Sequence, residues 1–330
     1  MKPYVIADMA CAHEGNIELA KRIIQGAGEA KANAIQFQIW KLSELDVPTH
    51  KDYEKRKKLE ISYDKWKELY HFSKTNFPSM EVISCIYEKT TLNFCKDIGI
   101  SSYKIHSADL TNPFLLQETA KIGDHIGLSV GGSSLDEIQK AIRWVEDTKQ
   151  VSVSLLYGIQ NFPTKIEDTE LAYSFKLRNL FSLPIGLQDH INGSSPAAFY
   201  IPAVAIGMGF DIIEKHITYD RSKKGTDHEA ALNPENFKNF IKMVNDINLS
   251  FGLSVPHSFT DAEKKYRQYS KKSIVSLKLI NSGEVIKIED IGFLRANNVG
   301  LSPDKAYEIV GGKANHTIQK YQTITKEDIE

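Results

Sequence analysis

From Tyr4 onward, short runs of β-favouring residues give way repeatedly to longer stretches with the apolar spacing of helices. Eight such runs stand at residues 4–7, 34–38, 80–84, 102–105, 125–129, 151–156, 184–187 and 210–214. Strict alternation of strand and helix predicts parallel strands joined by helical crossovers. Eight units ending near Asn248 predict a closed (β/α)8 TIM barrel rather than an open doubly wound sheet. Helix signals support the intervals: Leu19, Ile23, Ile24 and Ala27 form one stripe, Ser134 and Glu137 have capping-box spacing, and Asn233 precedes Pro234 as an N-cap before proline at N1. Residues 41–62 are strongly charged and interrupt the rhythm, so they read as an extended rim loop, equally compatible with a lid and with a solvated insertion.

After residue 253 the pattern changes. Pro256, His257, Ser258 and Thr260 break it, and the polar stretch DAEKKYRQYSKK offers little to a core. The expected organisation is therefore a barrel over residues 1–254, a linker over 255–272 and a small β-rich domain over 273–330. That last piece contains an echo, VIKIEDI at 285–291 and TITKEDI at 323–329, which predicts a pseudo-symmetric unit with Val275, Leu277, Val285, Ile291 and Ile318 inside. So small a unit buries too little surface to stand confidently alone and should dock on something.

Composition narrows the function classes. Lys plus Arg number 41 against 42 Asp plus Glu, so no net field argues for nucleic acid or an anionic membrane as partner. No apolar run approaches a membrane span, the first residues lack a signal-peptide core, and the expected location is cytoplasmic. Cys11, Cys85 and Cys95 show neither metal nor redox spacing and read as small buried hydrophobes.

Chemistry should sit at the C-terminal ends of the barrel strands. Those ends carry Asp8, His13 and Glu14, then Gln36 and Gln38, then Lys104, His106, Ser107 and Asp109. Further on come Ser129, Gln160, Gln188, Asp189, His190, Glu214 and His216. Alternation along a strand lets Glu214 and His216 share a face while Lys215 points away. His190 and His216 on adjacent strand ends can hold one divalent cation with open positions, or serve as satisfied structural histidines. Lys104 suits phosphate or carboxylate, or is a rim lysine, and Gly131-Gly132-Ser133-Ser134 reads as an anion-receiving helix start or as a plain glycine turn with a serine cap.

At these residues the chain resembles the N-acetylneuraminate synthase family, which includes legionaminic and pseudaminic acid synthases. The resemblance is carried by IADMACAHEGNIELAKRII, YKIHSADLTNPFLLQ, GLQDH, DIIEKHITYDRSKKGTDHEAAL and a tail, KKSIVSLKLINSGEVIKIEDIGFLRANNVGLSP, similar to an antifreeze-like (SAF) domain. It implies condensation of phosphoenolpyruvate with an open-chain N-acylated amino sugar, giving a nine-carbon 2-keto acid and phosphate. By the same resemblance His190 and His216 match ligands of Mn2+ or Mg2+, with Asp189 beside them. Glu14 matches a carboxylate near the aldehyde, Lys104 and Ser107 match donor-binding residues, and Asp227 matches a sugar contact. Arg295 matches an arginine that reaches into the other subunit of an intertwined homodimer. Asp109, Ser129 and Phe162 fall at further substrate-binding positions.

The chain also departs from the family pattern. Gln36 stands where a donor-contacting lysine is usual, Asp109 replaces a longer glutamate, and Gln160 and Gln188 replace other donor-pocket residues. Glutamine donates hydrogen bonds without supplying charge. Three readings are open: a diverged synthase compensated by a cation such as Lys223 or Lys224, a related metal-dependent carbon–carbon lyase or aldolase with a different keto donor, and a catalytically silent sugar-binding homologue.

Overall fold

The computed structural model describes residues 3–252, 255, 256 and 258–330. The chain divides into two compact units, Met1–Gly252 and Leu253–Glu330. The expected boundary after residue 254 and its marker His257 lie outside the described residues.

In the first unit eight parallel strands close into a barrel in chain order. They are β1 (Tyr4–Asp8), β2 (Ala34–Gln38), β3 (Glu81–Ile86), β4 (Ser102–Ile105), β5 (His125–Ser129), β6 (Ser152–Tyr157), β7 (Ile185–Asp189) and β8 (Ile212–His216). The residue pattern finds every strand, but ends β3 two residues early and so overlooks Tyr87 just beyond its true end. Helices between strands cover the outside, and the large core lies between them and the outward strand residues, such as Val5, Ile35, Phe37 and Leu187. The opposite parity points into the barrel. Ile6, Ala34, Ile83, Leu156 and Ile212 form an apolar interior layer. Leu156 reaches the axis because β5 and β7 offer glycine there: a Cβ on Gly127 or Gly186 would lie 2.9 or 2.6 Å from its methyl groups. One step further along the strands, the same parity delivers Asp8, Gln36, Lys104, Gln188 and Glu214.

Both helix-start signals stand at true helix N-termini, but only one of them caps through its side chain. Ser134 Oγ accepts from Glu137 N–H at 3.3 Å while Glu137 accepts from Ser134 N–H at 2.7 Å, completing the capping box. Asn233 precedes helix Pro234–Phe251, yet its side chain accepts from Arg221 N–H at 2.8 Å instead of capping. The charged segment is not an extended loop: it forms two short helices, Leu42–Leu45 and Tyr53–Leu59. Trp40, Leu42 and Leu59 bury a small apolar cluster beneath them, and Lys41 N–H donates to Glu88 Oε1 at 3.1 Å.

In the second unit the polar stretch is helical, Asp261–Ser270, capped by Thr260, whose Oγ accepts from Glu263 N–H. Two antiparallel strands come next, β9 (Ser273–Ser276) and β10 (Ile291–Leu294). The echo is a real structural repeat. Lys287 N–H donates to the buried carboxylate of Asp290 at 3.1 Å, and Thr325 N–H to that of Asp328 at 2.5 Å. The core comprises Ile274, Ile280, Ile286, Ile291, Ile309, Ile318 and Ile324, among others. Leu277 and Val285, expected inside, are 38% and 42% exposed: Ile286 takes the inner position, a one-residue change of phase that turns its neighbour outward. No helix among the described residues is long and apolar enough to cross a membrane.

Candidate active site

A cavity of about 650 Å³ opens at the C-terminal ends of the barrel strands. Its floor is the polar layer. Lys104 Nζ lies 2.7 Å from Glu214 Oε1 and 3.8 Å from Asp8 Oδ2, all three side chains being almost fully buried. Gln36 donates to Asp8 Oδ2 at 2.6 Å, Gln188 donates to Glu214 Oε1 at 3.0 Å, and Ser129 donates to Gln188 Oε1 at 2.7 Å. Burial opposes the charge on Lys104, but Glu214 and then Asp8 outweigh it and keep the ammonium pKa above its ordinary value. One cation thus answers two carboxylates, and its charge is already met.

Above the floor, His190 and His216 meet edge to face with ring centroids 4.9 Å apart, and Phe162 packs 4.5 Å from the His190 ring. Burial, then the His216 neighbour, pushes His190 down to about 3, and burial pushes His216 down to about 3, so both imidazoles are neutral. His190 Nδ1 hydrogen-bonds to Ile159 O at 2.9 Å, which leaves Nε2 its lone pair. His216 Nε2 lies 3.7 Å from Asp8 Oδ2, and its buried Nδ1 has no hydrogen-bond partner among the described residues. Two neutral imidazoles, one with an unsatisfied nitrogen, suit a divalent ion completed by substrate or water. No group of three His, Cys, Asp or Glu side chains is assembled for metal among the described residues.

Other expected residues divide. Asp109, Gln160, Phe162 and Asp227 line the cavity with Lys104, His190 and His216. Gln36, Ser129 and Gln188 lie beneath it in the floor network, while Ser107, in a 3-10 turn, is not on the wall. Asp189 is not brought into the group. It is one residue out of phase with Gln188 and His190, so strand alternation turns it to the outer side, where it pairs with Lys215 at 2.7 Å, both side chains wholly buried. Glu14 is also off the cavity wall, its Oε1 accepting from Thr226 N–H at 2.5 Å. Arg295 belongs to the second unit, where its Nε donates to Ser270 O at 3.1 Å. Ser134 Oγ occupies the N-terminus of helix Leu135–Glu146, in keeping with a glycine turn and serine cap. Lys223 and Lys224 do not line the cavity.

Several wall residues carry no role in the sequence reading. Asp8, Gln38 and His106 were legible as strand ends, whereas Tyr87 lies past the misjudged end of β3. Burial, then Lys104 and Arg56, pushes His106 down to about 4. The insertion supplies Asp46, His50 and Asp52 from the segment between its two helices, and Lys55 and Arg56 from the second helix, to one side of the cavity. Arg56 is held by Asp46 at 2.5 Å, leaving Lys55 as a wall cation without an ion-pair partner among the described residues.

The profile of the NeuB family matches residues 23–255, and that of the SAF domain matches residues 271–330. The chain is 30% identical to N,N'-diacetyllegionaminic acid synthase of Legionella pneumophila, over all of this chain and 95% of that one. It is 25% identical to the pseudaminic acid synthase of Helicobacter pylori, covering 99% and 98% of the two chains. Among solved structures it resembles the N-acetylneuraminic acid synthetase of Leptospira borgpetersenii, with a TM-score of 0.73 and 28% identity over 81% of this chain and 92% of that one.

Proposed function

Because the chain belongs to the NeuB family and ends in a SAF domain, we propose that it makes a sugar acid by condensing phosphoenolpyruvate with an open-chain N-acylated amino sugar. The observation that carries this reading is the pair of neutral imidazoles, His190 and His216, above a polar floor at the barrel's working face. His190 and His216 would hold the divalent ion, Mn2+ or Mg2+, which when bound would supply a Lewis acid to the acceptor's aldehyde. The methylene carbon of the donor then bonds to the aldehyde carbon. Water adds at donor C2, and the C–O bond to phosphate is replaced by the ketone, so one phosphate leaves per product.

The chain's own residues orient and enclose these groups. Asp227 and Gln160, on the cavity wall, face the acceptor's hydroxyl and acylamino groups, and Phe162 closes the side beside His190. Asp109, also on the wall, carries a carboxyl whose pKa burial raises above its ordinary value. Lys104 is fixed by Glu214 and offers only its remaining hydrogens, so much of the donor's charge falls to Lys55 and to Arg295 of the partner subunit.

The second subunit is part of the proposal. The barrel rim exposes Val47, Phe114, Leu135, Phe162 and Ile166, which are 65%, 78%, 45%, 41% and 48% accessible, and the second unit separately exposes Phe293 and Leu294 beside Arg295. Apolar rims of this kind suit coverage by a second copy.

One observation favours another donor. The floor holds one cation against two carboxylates, a poor receptor for a phosphate dianion. A carbon–carbon lyase or aldolase using a different 2-keto donor would tolerate that floor. Phosphate release with a panel of N-acylated hexosamines and Mn2+ separates them: stoichiometric phosphate and keto acid support the synthase, and keto-acid turnover without phosphoenolpyruvate supports the alternative.

A further inference from the structure

Four of the eight non-glycine residues with left-handed backbone among the described residues lie beside the cavity. Ala10, Glu14, Lys224 and Asp227, with φ of 45°, 51°, 51° and 62°, are left-handed non-glycine residues in just two loops, those after β1 and β8. Such conformations are unfavourable for a residue bearing a Cβ and persist where the surroundings impose them. Here the surroundings are reciprocal. The loop after β1 gives Cys11 N–H to Asp227 Oδ2 at 3.1 Å, and the loop after β8 gives Thr226 N–H to Glu14 Oε1 at 2.5 Å. Gly225 passes directly over the Glu14 carboxylate, where a Cβ would lie 2.3 Å from Oε1 and 2.9 Å from His228 Nε2. His228 is itself buried and bonded to Thr218 Oγ1 at 2.9 Å, so it cannot easily yield.

We propose that Glu14 is a positioning residue: its carboxylate clamps Thr226 N–H and so sets the Asp227 carboxylate on the cavity wall, without touching substrate itself. Asp227 lines the cavity and Glu14 does not. Gly225 belongs to the same device, since any side chain there would displace the Glu14 carboxylate. The inference rests on the acceptor-binding role given to Asp227 above, but the clamp has its own readout.

The experiment compares Glu14→Gln, Glu14→Ala, Gly225→Ala, Asp227→Ala and the Glu14→Ala/Asp227→Ala double variant of the full chain, loaded with Mn2+. A glutamine oxygen can still accept Thr226 N–H, so Glu14→Gln should stay within about three-fold of wild type, whereas Glu14→Ala and Gly225→Ala should raise the acceptor KM about ten-fold, the worth of one charge-assisted bond, with the donor KM unchanged. In the Asp227→Ala background, Glu14→Ala should add nothing, because there is no carboxylate left to place. Hydrogen exchange at residues 224–228 reads the clamp directly, with protection kept in Glu14→Gln and lost in Glu14→Ala. Unchanged exchange in Glu14→Ala overturns the clamp whatever the turnover. A large kcat loss in Glu14→Gln with an unaltered acceptor KM overturns it too, since the carboxylate would then act chemically. If wild type turns over no acceptor, the functional reading fails while the exchange result still decides the clamp.

Discussion

Replacing Gln36 by lysine tests whether the floor faces the donor. Gln36 is fully buried, with Nε2 on Asp8 Oδ2 at 2.6 Å and Oε1 without a partner among the described residues, in a layer where Lys104 stands against Asp8 and Glu214. A lysine there would pair with Asp8 and balance the layer's charge, while Lys104 stays on Glu214. One added unit charge about 8 Å from a phosphate charge, at an effective dielectric near 20, is worth ~2 kcal/mol. Fitting a longer side chain into a filled space costs ~1 kcal/mol or more. That packing cost falls on folding stability in the free and the bound protein alike, so phosphoenolpyruvate binding should tighten by ~1–2 kcal/mol, roughly five- to thirty-fold. Calorimetric titration at fixed Mn2+ and ionic strength measures it, with Gln36→Met as the uncharged control and thermal unfolding as the check on packing. Equal affinity in wild type and a stably folded Gln36→Lys protein would refute the reasoning, because the floor would then not sense the donor's charge.

Other expectations are as definite. His190→Ala and His216→Ala should each lower Mn2+ affinity by ten-fold or more in equilibrium dialysis, with the fold intact by circular dichroism; unchanged stoichiometry and affinity would remove the metal from these residues. Mixing His216→Ala with Arg295→Ala chains should restore part of the lost activity if Arg295 acts in the partner's cavity, and no rescue despite subunit exchange would count against it. Glu88, pushed up to about 7 from 4.5 chiefly by burial, binds its proton more tightly folded than unfolded. Its contribution is therefore full below about pH 4.5 and is lost as the pH rises to about 7, so urea denaturation of Glu88→Gln should show less stability loss between pH 5 and 8 than wild type. Ser134→Ala should cost ~1 kcal/mol by the same measurement, since the capping box it breaks is exposed and local.

How far the residues alone reveal each feature depends on the kind of signal it leaves. The barrel strands announce themselves because both faces are buried and the crossovers are regularly spaced, and Ser134 because its cap partners lie three residues apart. His190, His216 and Lys104 could be placed because strand parity carries them to the working face. Asp189 misled because one residue of parity, invisible in a list of strand ends, sends it to Lys215 on the outer side. The insertion helices gave no periodic pattern, being four and seven residues long and held by Trp40, Leu42 and Leu59, which come from both of their ends. Their cavity-facing Lys55 and Arg56 therefore stand in a charge run that reads equally as a lid and as a solvated insertion. The link from Glu14 to Thr226 spans 212 residues and leaves no local trace.

The central claim is met most directly by tracing carbon. Purified protein should be incubated with Mn2+, phosphoenolpyruvate labelled with carbon-13 at the methylene, and an N-acylated hexosamine, and the products read by NMR and mass spectrometry. The account predicts the label in a nine-carbon 2-keto acid as the carbon newly bonded to the former aldehyde carbon, with one phosphate per product, and its loss in His216→Ala. Label that stays in phosphoenolpyruvate or appears only in pyruvate across the acceptor panel, while an unphosphorylated 2-keto compound is joined to or cleaved from the sugar, would contradict it.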